Sequence, residues 1–415
     1  MKLSDTSHFP LTTKLELRYL RKNYKITPEG TGDLLFSECV ERRAVESKIC
    51  KMFARGGYNE VRTPFLEFYD VFNLGDSFLP MDSMYKLSDN KGRLMVLRPD
   101  NTLPIARMTA TKLSNAQLPI RVYYSQTSFA IGQSLRGESD QNKQTGIELI
   151  GAGGRKADLE VIVMAINSLR ANLDDFRFEI GHSGIFKALA DDLNVSEETK
   201  EELRDYIESK NYGALSEALE QMPDSSSVRA LRQLPRMFGG GEVLTQAYEV
   251  FEGCGVTQYI DYLGDIYGRL NQLGLGDKLI IDFGIVHRKD YYTGIVFTAY
   301  AHGSGNKVLS GGRYDGLLEK FGFPTPACGF AVDIDALTKA CSHSQKVTAK
   351  IPQILVHSDE GFEIKALQYA HKLAGDKHIY EYSVCDTLED AVEYARAKGI
   401  SRVDHIGEEI EIVEV

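Results

Sequence analysis

No run of apolar residues is longer than the six from Val161 to Ile166, and a bilayer-spanning helix needs about 20. The polar leader MKLSDTSHFPLTTKLELRYLRKNYK has no apolar core of the kind a secretory signal carries. No membrane association is expected, and cytoplasm is the expected compartment. Cysteine is scarce and scattered. Cys39, Cys50, Cys254, Cys328, Cys341 and Cys385 stand singly, without a C-x-x-C pair or a histidine at ligand spacing. That pattern predicts no metal site and six buried, reduced, small apolar side chains. The patterns G-x-S-x-G, H-E-x-x-H and the P-loop are absent, and Gly303 to Lys307 is glycine-rich without the spacing that cradles phosphates. The nine histidines are isolated, each expected at the surface or as a satisfied core residue. Basic residues are in deficit, 48 against 59 acidic for a formal charge of −11. A broad nucleic-acid-binding face is thereby excluded, though a local basic groove is not.

What is present is an ordinary folded composition. The 415 residues, 43% hydrophobic and 26% charged, predict two or three packed units rather than one of ~150 residues. Apolar periodicity predicts a helix over Glu38 to Phe53, stopped at Gly56-Gly57, then a strand over Tyr58 to Phe68 whose Pro64 confines it to an edge or interface. Further strands are expected at Arg93 to Leu97, Val122 to Ser125 and Gln144 to Ile150. Helices are expected at Thr102 to Lys112 and at Asp158 to Leu169, the latter with Asp158 as cap. From about 184 to 273 the pattern is helical, including one stretch from Ser196 to Met222, after which strands resume at Lys278 to Ile285, Thr293 to Tyr300 and Ala327 to Ile334. The strict strand–helix alternation of a parallel sheet is missing. The fold class expected is therefore α+β, an antiparallel sheet flanked by helices, over residues 1–337 with a helical insert at about 184–273. A small polar linker at 338–350 and a small α/β domain at 351–415 complete the chain.

One set of polar residues sits at strand ends. It comprises Asp100 and Thr102, Gln144 and Glu148 on one strand, and Tyr291 with Tyr292. Side chains at 144, 146 and 148 share a face, and Gly146 leaves room between its neighbours. Carboxylates, an amide and phenols suit a small polar zwitterion carrying an ammonium or imidazolium. A sheet face with its polar groups paired internally is the alternative from spacing alone. The segment Ser310 to Gly316 reads as a glycine-rich turn from strand to helix.

Six segments in order, TPEGTGDLL at 27–35, GGYNEVRTPFLEFYDVF at 56–72, LRPDNTLPIAR at 97–107, QTGIELIG at 144–151, DYYTGIVF at 290–297 and SGGRYDGLLEKFG at 310–322, resemble the histidyl-tRNA synthetase family. The resemblance implies a class II aminoacyl-tRNA synthetase-like fold and a homodimer built around the stretch containing Pro64. It also implies a histidine pocket of Asp100, Thr102, Gln144, Glu148, Tyr291 and Tyr292, with His287 where the family has an arginine. The phosphate side departs from the family. Phe129-Ala130-Ile131-Gly132 replaces Phe-Arg-x-Glu, Gly137 to Asn142 carries acids where two arginines are expected, and Asp333 and Asp335-Ala336-Leu337 replace a glycine and Glu-Arg-Leu. Lost phosphate donors typically cost ~10²–10³ in rate each, so no catalytic residues are assigned.

A histidine pocket without adenylation resembles the family's paralogues, the ATP phosphoribosyltransferase regulatory subunits. FEIGHSGIFKAL at 178–189 and LPRMFGGGEVL at 234–244 are similar to their signatures. The resemblance implies a non-catalytic subunit without cofactor. It would activate a short-form catalytic subunit in the first step of histidine biosynthesis, with histidine as feedback effector, as a homodimer within a hetero-octamer and without tRNA. A divergent synthetase or a stand-alone histidine-binding paralogue is the alternative.

Overall fold

The computed structural model describes residues 25–74, 79–132, 139–286, 291–342 and 351–415. The chain divides into two units, Met1–Lys346 and Val347–Val415.

In the first unit, helix α1 (Ser37–Arg55) leads into strand β1 (Asn59–Glu60), and β2 (Leu66–Phe68), β3 (Lys86–Ser88) and β4 (Leu94–Leu97) make a small antiparallel sheet in the order β2-β4-β3. The single strand expected over Tyr58 to Phe68 is thus two, in different sheets. The cause is local. Pro64 has no N–H to offer a ladder, the Thr63 N–H instead donates to Gln126 Oε1 at 2.7 Å, and the fully buried Arg98 donates to the carbonyls of Thr63 and Pro64 at 2.7 and 3.0 Å. Helix α2 spans Thr102–Lys112.

The main sheet is built on the hairpin of β5 (Ile120–Phe129) and β6 (Gln141–Ile150), joined by β7 (Arg177–His182), β8 (Phe238–Gly239), β9 (Leu279–Asp282), β10 (Ile295–Tyr300), β11 (Lys307–Arg313) and β12 (Ala327–Asp333). Its order is β1-β5-β6-β12-β11-β10-β7-β9-β8, antiparallel except at β1/β5 and β7/β9. One face packs on α1, helix α3 (Arg155–Arg170) and the helical insert, through Ile49, Phe53, Val161, Ile166, Phe297 and Phe330. A second core of Phe72, Leu103, Ile105, Tyr124, Tyr291 and Tyr314 gathers around α2.

Ser310 to Arg313 lies inside β11 and is not a turn. The glycines answer distant neighbours: a Cβ at 311 would fall 2.5 Å from the Gly329 carbonyl, and one at 312 would fall 2.8 Å from the Tyr292 ring. Asp158 is not a cap either. The helix begins at Arg155 behind Gly154, and Asp158, buried, pairs with Arg313 at 2.6 Å and accepts from the Tyr262 hydroxyl.

The insert is helical apart from the two-residue β8. After helix α4 (Ser183–Asp191), the stretch from Ser196 to Met222 is two helices, α5 (Glu197–Glu208) and α6 (Tyr212–Glu220), separated where Lys210 takes a positive φ and Asn211 caps the next helix. Only Cys254 and Cys328 are buried, and the other four cysteines are half-buried. The polar stretch from 338 starts inside a helix, Ile334–Ser342, and the rest of that expected linker lies outside the described residues.

The second unit has four strands, Ile354–Ser358, Tyr380–Tyr382, Arg402–Ile406 and Ile410–Glu414, the first three parallel and the last antiparallel. Helices Glu363–Gly375 and Leu388–Lys398 pack on separate small cores, one through Val356 and Ala370, the other through Leu355 and Ala395. Among the described residues, no helix is long and apolar enough to cross a membrane.

Candidate ligand-binding site

Strand β6 sets the floor of the site. Its register places Gln144 opposite Gln126, Gly146 opposite Tyr124 and Glu148 opposite Val122 on β5, while Glu148 faces Gly329 on β12. The glycines on this floor are there because side chains lie across them. A Cβ at 329 would overlap the Glu148 carboxyl at 1.8 Å, and one at 146 would meet the Tyr124 hydroxyl at 2.7 Å. The room expected over Gly146 is therefore filled by Tyr124.

Glu148 is 2% exposed and accepts a hydrogen bond from Tyr314. Burial, and then the Glu148 charge, push the Tyr314 phenol well above its usual range, so Tyr314 remains a donor. Tyr291 sits beside it with ring centroids 5.7 Å apart, and Tyr292 follows at 4.9 Å. The Tyr291 phenol is also raised well above its usual range, by burial first and then by the charges of Asp100, Tyr292 and Glu148, and it hydrogen-bonds Thr102. Asp100, buried, turns Oδ1 to the Leu103 N–H at 3.0 Å and so starts α2 with one oxygen. Gln144 joins from the other side, its Oε1 accepting from Asn101 Nδ2 at 2.9 Å.

Six of the seven expected residues are thus brought to one end of the β5–β6 hairpin: Asp100, Thr102, Gln144, Glu148, Tyr291 and Tyr292. His287 lies outside the described residues. Tyr314 and Asn101 were not anticipated. Tyr314 follows directly on β11, which the glycine pattern disguised as a turn, whereas Asn101, between two expected site residues, carried a signal of position alone.

The other end of the hairpin is closed by carboxyl groups. Asp140 accepts from the Tyr85 hydroxyl at 2.6 Å and the Gly132 N–H at 2.7 Å, and its own N–H donates to the Gly30 carbonyl at 2.8 Å. Asp333 accepts from Asn142 Nδ2 at 2.7 Å, and burial pushes its carboxyl above the usual range. Asp335 takes Arg42 at 2.8 Å and the Lys143 N–H at 2.9 Å, while the Lys143 ammonium is held by Glu46 at 3.0 Å. Among the described residues, both cations at this end, Arg42 and Lys143, are committed to carboxylates, which leaves neither poised as a phosphate clamp. Gly137 and Glu138 lie outside the described residues.

An open depression of about 410 Å³ elsewhere on the sheet is lined by Arg177, Lys278, Tyr300 and His302 among others. Its cations are also engaged, Lys278 with Asp175 at 2.8 Å and Arg177 with Glu179 at 2.7 Å.

Comparison with known proteins places the chain in a family. Residues 30–337 match the family described as Histidyl-tRNA synthetase. The ATP phosphoribosyltransferase regulatory subunit of Clostridium kluyveri is 39% identical over 381 residues, covering 91% of this chain and 97% of that protein, and the one from Clostridium novyi is 36% identical with 91% of each covered. Among solved structures, an ATP phosphoribosyltransferase regulatory subunit/histidyl-tRNA synthetase from Bacillus halodurans superposes with a TM-score of 0.81 at 28% identity, covering 92% of this chain and 97% of that one. A histidine–tRNA ligase subunit from Alicyclobacillus acidocaldarius gives 0.68 at 25% identity, covering 78% and 98%.

Proposed function

The chain belongs to the ATP phosphoribosyltransferase regulatory subunits, a branch of the histidyl-tRNA synthetase-like family, and from that membership we propose how it acts. Its role is regulatory, in histidine biosynthesis. It contributes no catalytic residue of its own. Free histidine binds among Asp100, Thr102, Gln144, Glu148, His287, Tyr291 and Tyr292, and the reaction of ATP with phosphoribosyl pyrophosphate takes place on a short-form catalytic subunit. The working unit is a homodimer inside a cytoplasmic hetero-octamer.

The observation that carries this reading is the contrast along one hairpin. At one end a buried carboxyl, Glu148, is held by Tyr314 among aromatic rings, which suits an imidazolium or ammonium. At the other end, Asp140, Asp333 and Asp335 occupy the ground where an adenylating enzyme needs cations. The site binds an amino acid and leaves it unreacted. Histidine then acts through coupling, commonly ~1–3 kcal/mol and equal in both directions by linkage. If histidine raises or lowers the affinity between subunits, assembly changes histidine affinity by the same factor.

The test is co-expression with a short-form catalytic subunit, followed by phosphoribosyl-ATP formation with each chain alone, with both, and with both plus histidine. Activity only in the mixture, falling as histidine is added, is the expected result. Histidine-dependent exchange between ATP and pyrophosphate by this chain alone would make it a synthetase and overturn the reading.

A further inference from the structure

Asn101 stands between Asp100 and Thr102 at the start of α2 and is 1% exposed. It makes no cap for that helix. Its Nδ2 donates to Gln144 Oε1 at 2.9 Å, and its Oδ1 is buried without a hydrogen-bond partner. A buried amide acceptor left unpaired costs roughly 1–3 kcal/mol. An arrangement that tolerates this cost for the sake of one contact is informative about that contact.

A primary carboxamide has one accepting end and one donating end, and the two cannot be exchanged without a half-turn. Asn101 engages the accepting end of Gln144, so the donating end, Nε2, is the one left for a ligand. Along the same strand Glu148, held by Tyr314, offers acceptors only. The floor is therefore polarised: an N–H donor at Gln144 and a carboxyl at Glu148. A ligand matching both carries an acceptor, best an anionic carboxylate, at one end and a protonated nitrogen at the other.

We infer that Asn101 is a positioning residue that fixes the polarity of Gln144, and that through it the pocket selects a free α-carboxylate, accepting an amino acid and rejecting the corresponding amine. This rests on the histidine pocket proposed above and adds to it the group that separates histidine from histamine, which has the same ring and ammonium without the carboxylate.

The decisive variant is Asn101→Asp, which keeps the shape of the side chain and removes its donor. Gln144 must then turn its Nε2 to the new carboxylate and present Oε1 to the ligand. Histidine and histamine affinities are measured by calorimetry on the full chain and on Asn101→Asp, Asn101→Ala and Gln144→Glu, each checked for folding by circular dichroism. The wild-type chain should favour histidine over histamine by 100-fold or more. Asn101→Asp should cut that ratio at least tenfold, with histamine binding as well or better. Gln144→Glu should act in the same direction without touching the buried position, and Asn101→Ala, which frees the amide to turn, should fall between.

A ratio that stays constant while both ligands weaken together would reduce Asn101 to a packing role and overturn the inference, leaving the histidine pocket intact. Absence of histidine binding to the folded wild-type chain would overturn both.

Discussion

The two ends of the β5–β6 hairpin share strands, register and sheet, yet they are built on opposite plans. From Thr145 to Ile150 every residue of β6 is buried, and Glu148 accepts a hydrogen bond from Tyr314 in an aromatic enclosure. From Gln141 to Lys143 the same strand is half-buried, and the carboxyl groups around it are tied to backbone N–H groups, to Asn142 and to two cations. The two ends thus differ in burial and in the kind of group that meets the carboxyls: phenols and an amide pair at one, cations and backbone N–H groups at the other. What a carboxyl can do for a ligand depends on those surroundings more than on its charge.

This contrast can be broken at either end. The largest effect is predicted for Glu148→Gln, which keeps shape and removes charge: histidine affinity should fall about 100-fold, since losing a buried charged contact costs roughly 2–5 kcal/mol. Calorimetry checks it, and unchanged affinity would place the effector elsewhere. Next comes Asp140→Ala, which orphans the Tyr85 hydroxyl and the Gly132 N–H. Denaturant unfolding should show a loss of ~1–3 kcal/mol, with histidine affinity unchanged within about twofold if the two ends are independent. A parallel loss of affinity would mean the ends are coupled.

The smallest effect concerns Asp333. Its folded pKa is raised, chiefly by burial, so the folded state binds its proton more tightly than the unfolded chain does. The stabilisation this brings is complete below the usual value of 3.8 and is lost as pH rises through the higher folded value. Asp333→Asn, which cannot charge, should lack that loss. It should be more stable than the parent at pH 7 by less than ~1 kcal/mol, with the difference fading toward pH 3.5 in thermal melts. A gap that instead widens in acid would reverse the assignment.

Local signals were readable where local chemistry decides. The Thr102–Lys112 helix matches its expected bounds because Asp100 starts it and the apolar residues Leu103, Ile105 and Ala106 are the ones buried. Gln144 and Glu148 were legible from a period of two. What was hidden depended on partners far along the chain. Gly311-Gly312 looked like a turn because Phe330, the Gly329 carbonyl and Tyr292, which exclude side chains there, cannot be seen in the neighbouring residues. Asp158 looked like a cap because Arg313, which takes its charge, lies 155 residues away. Tyr314 and Asn101 entered the site only once β11 and β6 were in place.

Arg98 has a consequence in time as well as in space. Its buried guanidinium donates to five oxygens, all neutral, from Thr63, Pro64, Gln126 and Thr127, and burial lowers its pKa to about 10. These oxygens come from two separate stretches, the 63–64 segment and β5, and all are needed to replace the water that the guanidinium sheds. Contacts that form after the transition state act on the rate of unfolding rather than of folding. Arg98→Met is accordingly expected to speed unfolding more than it slows folding, a difference that chevron kinetics reads: the arginine would act as a latch on the finished structure.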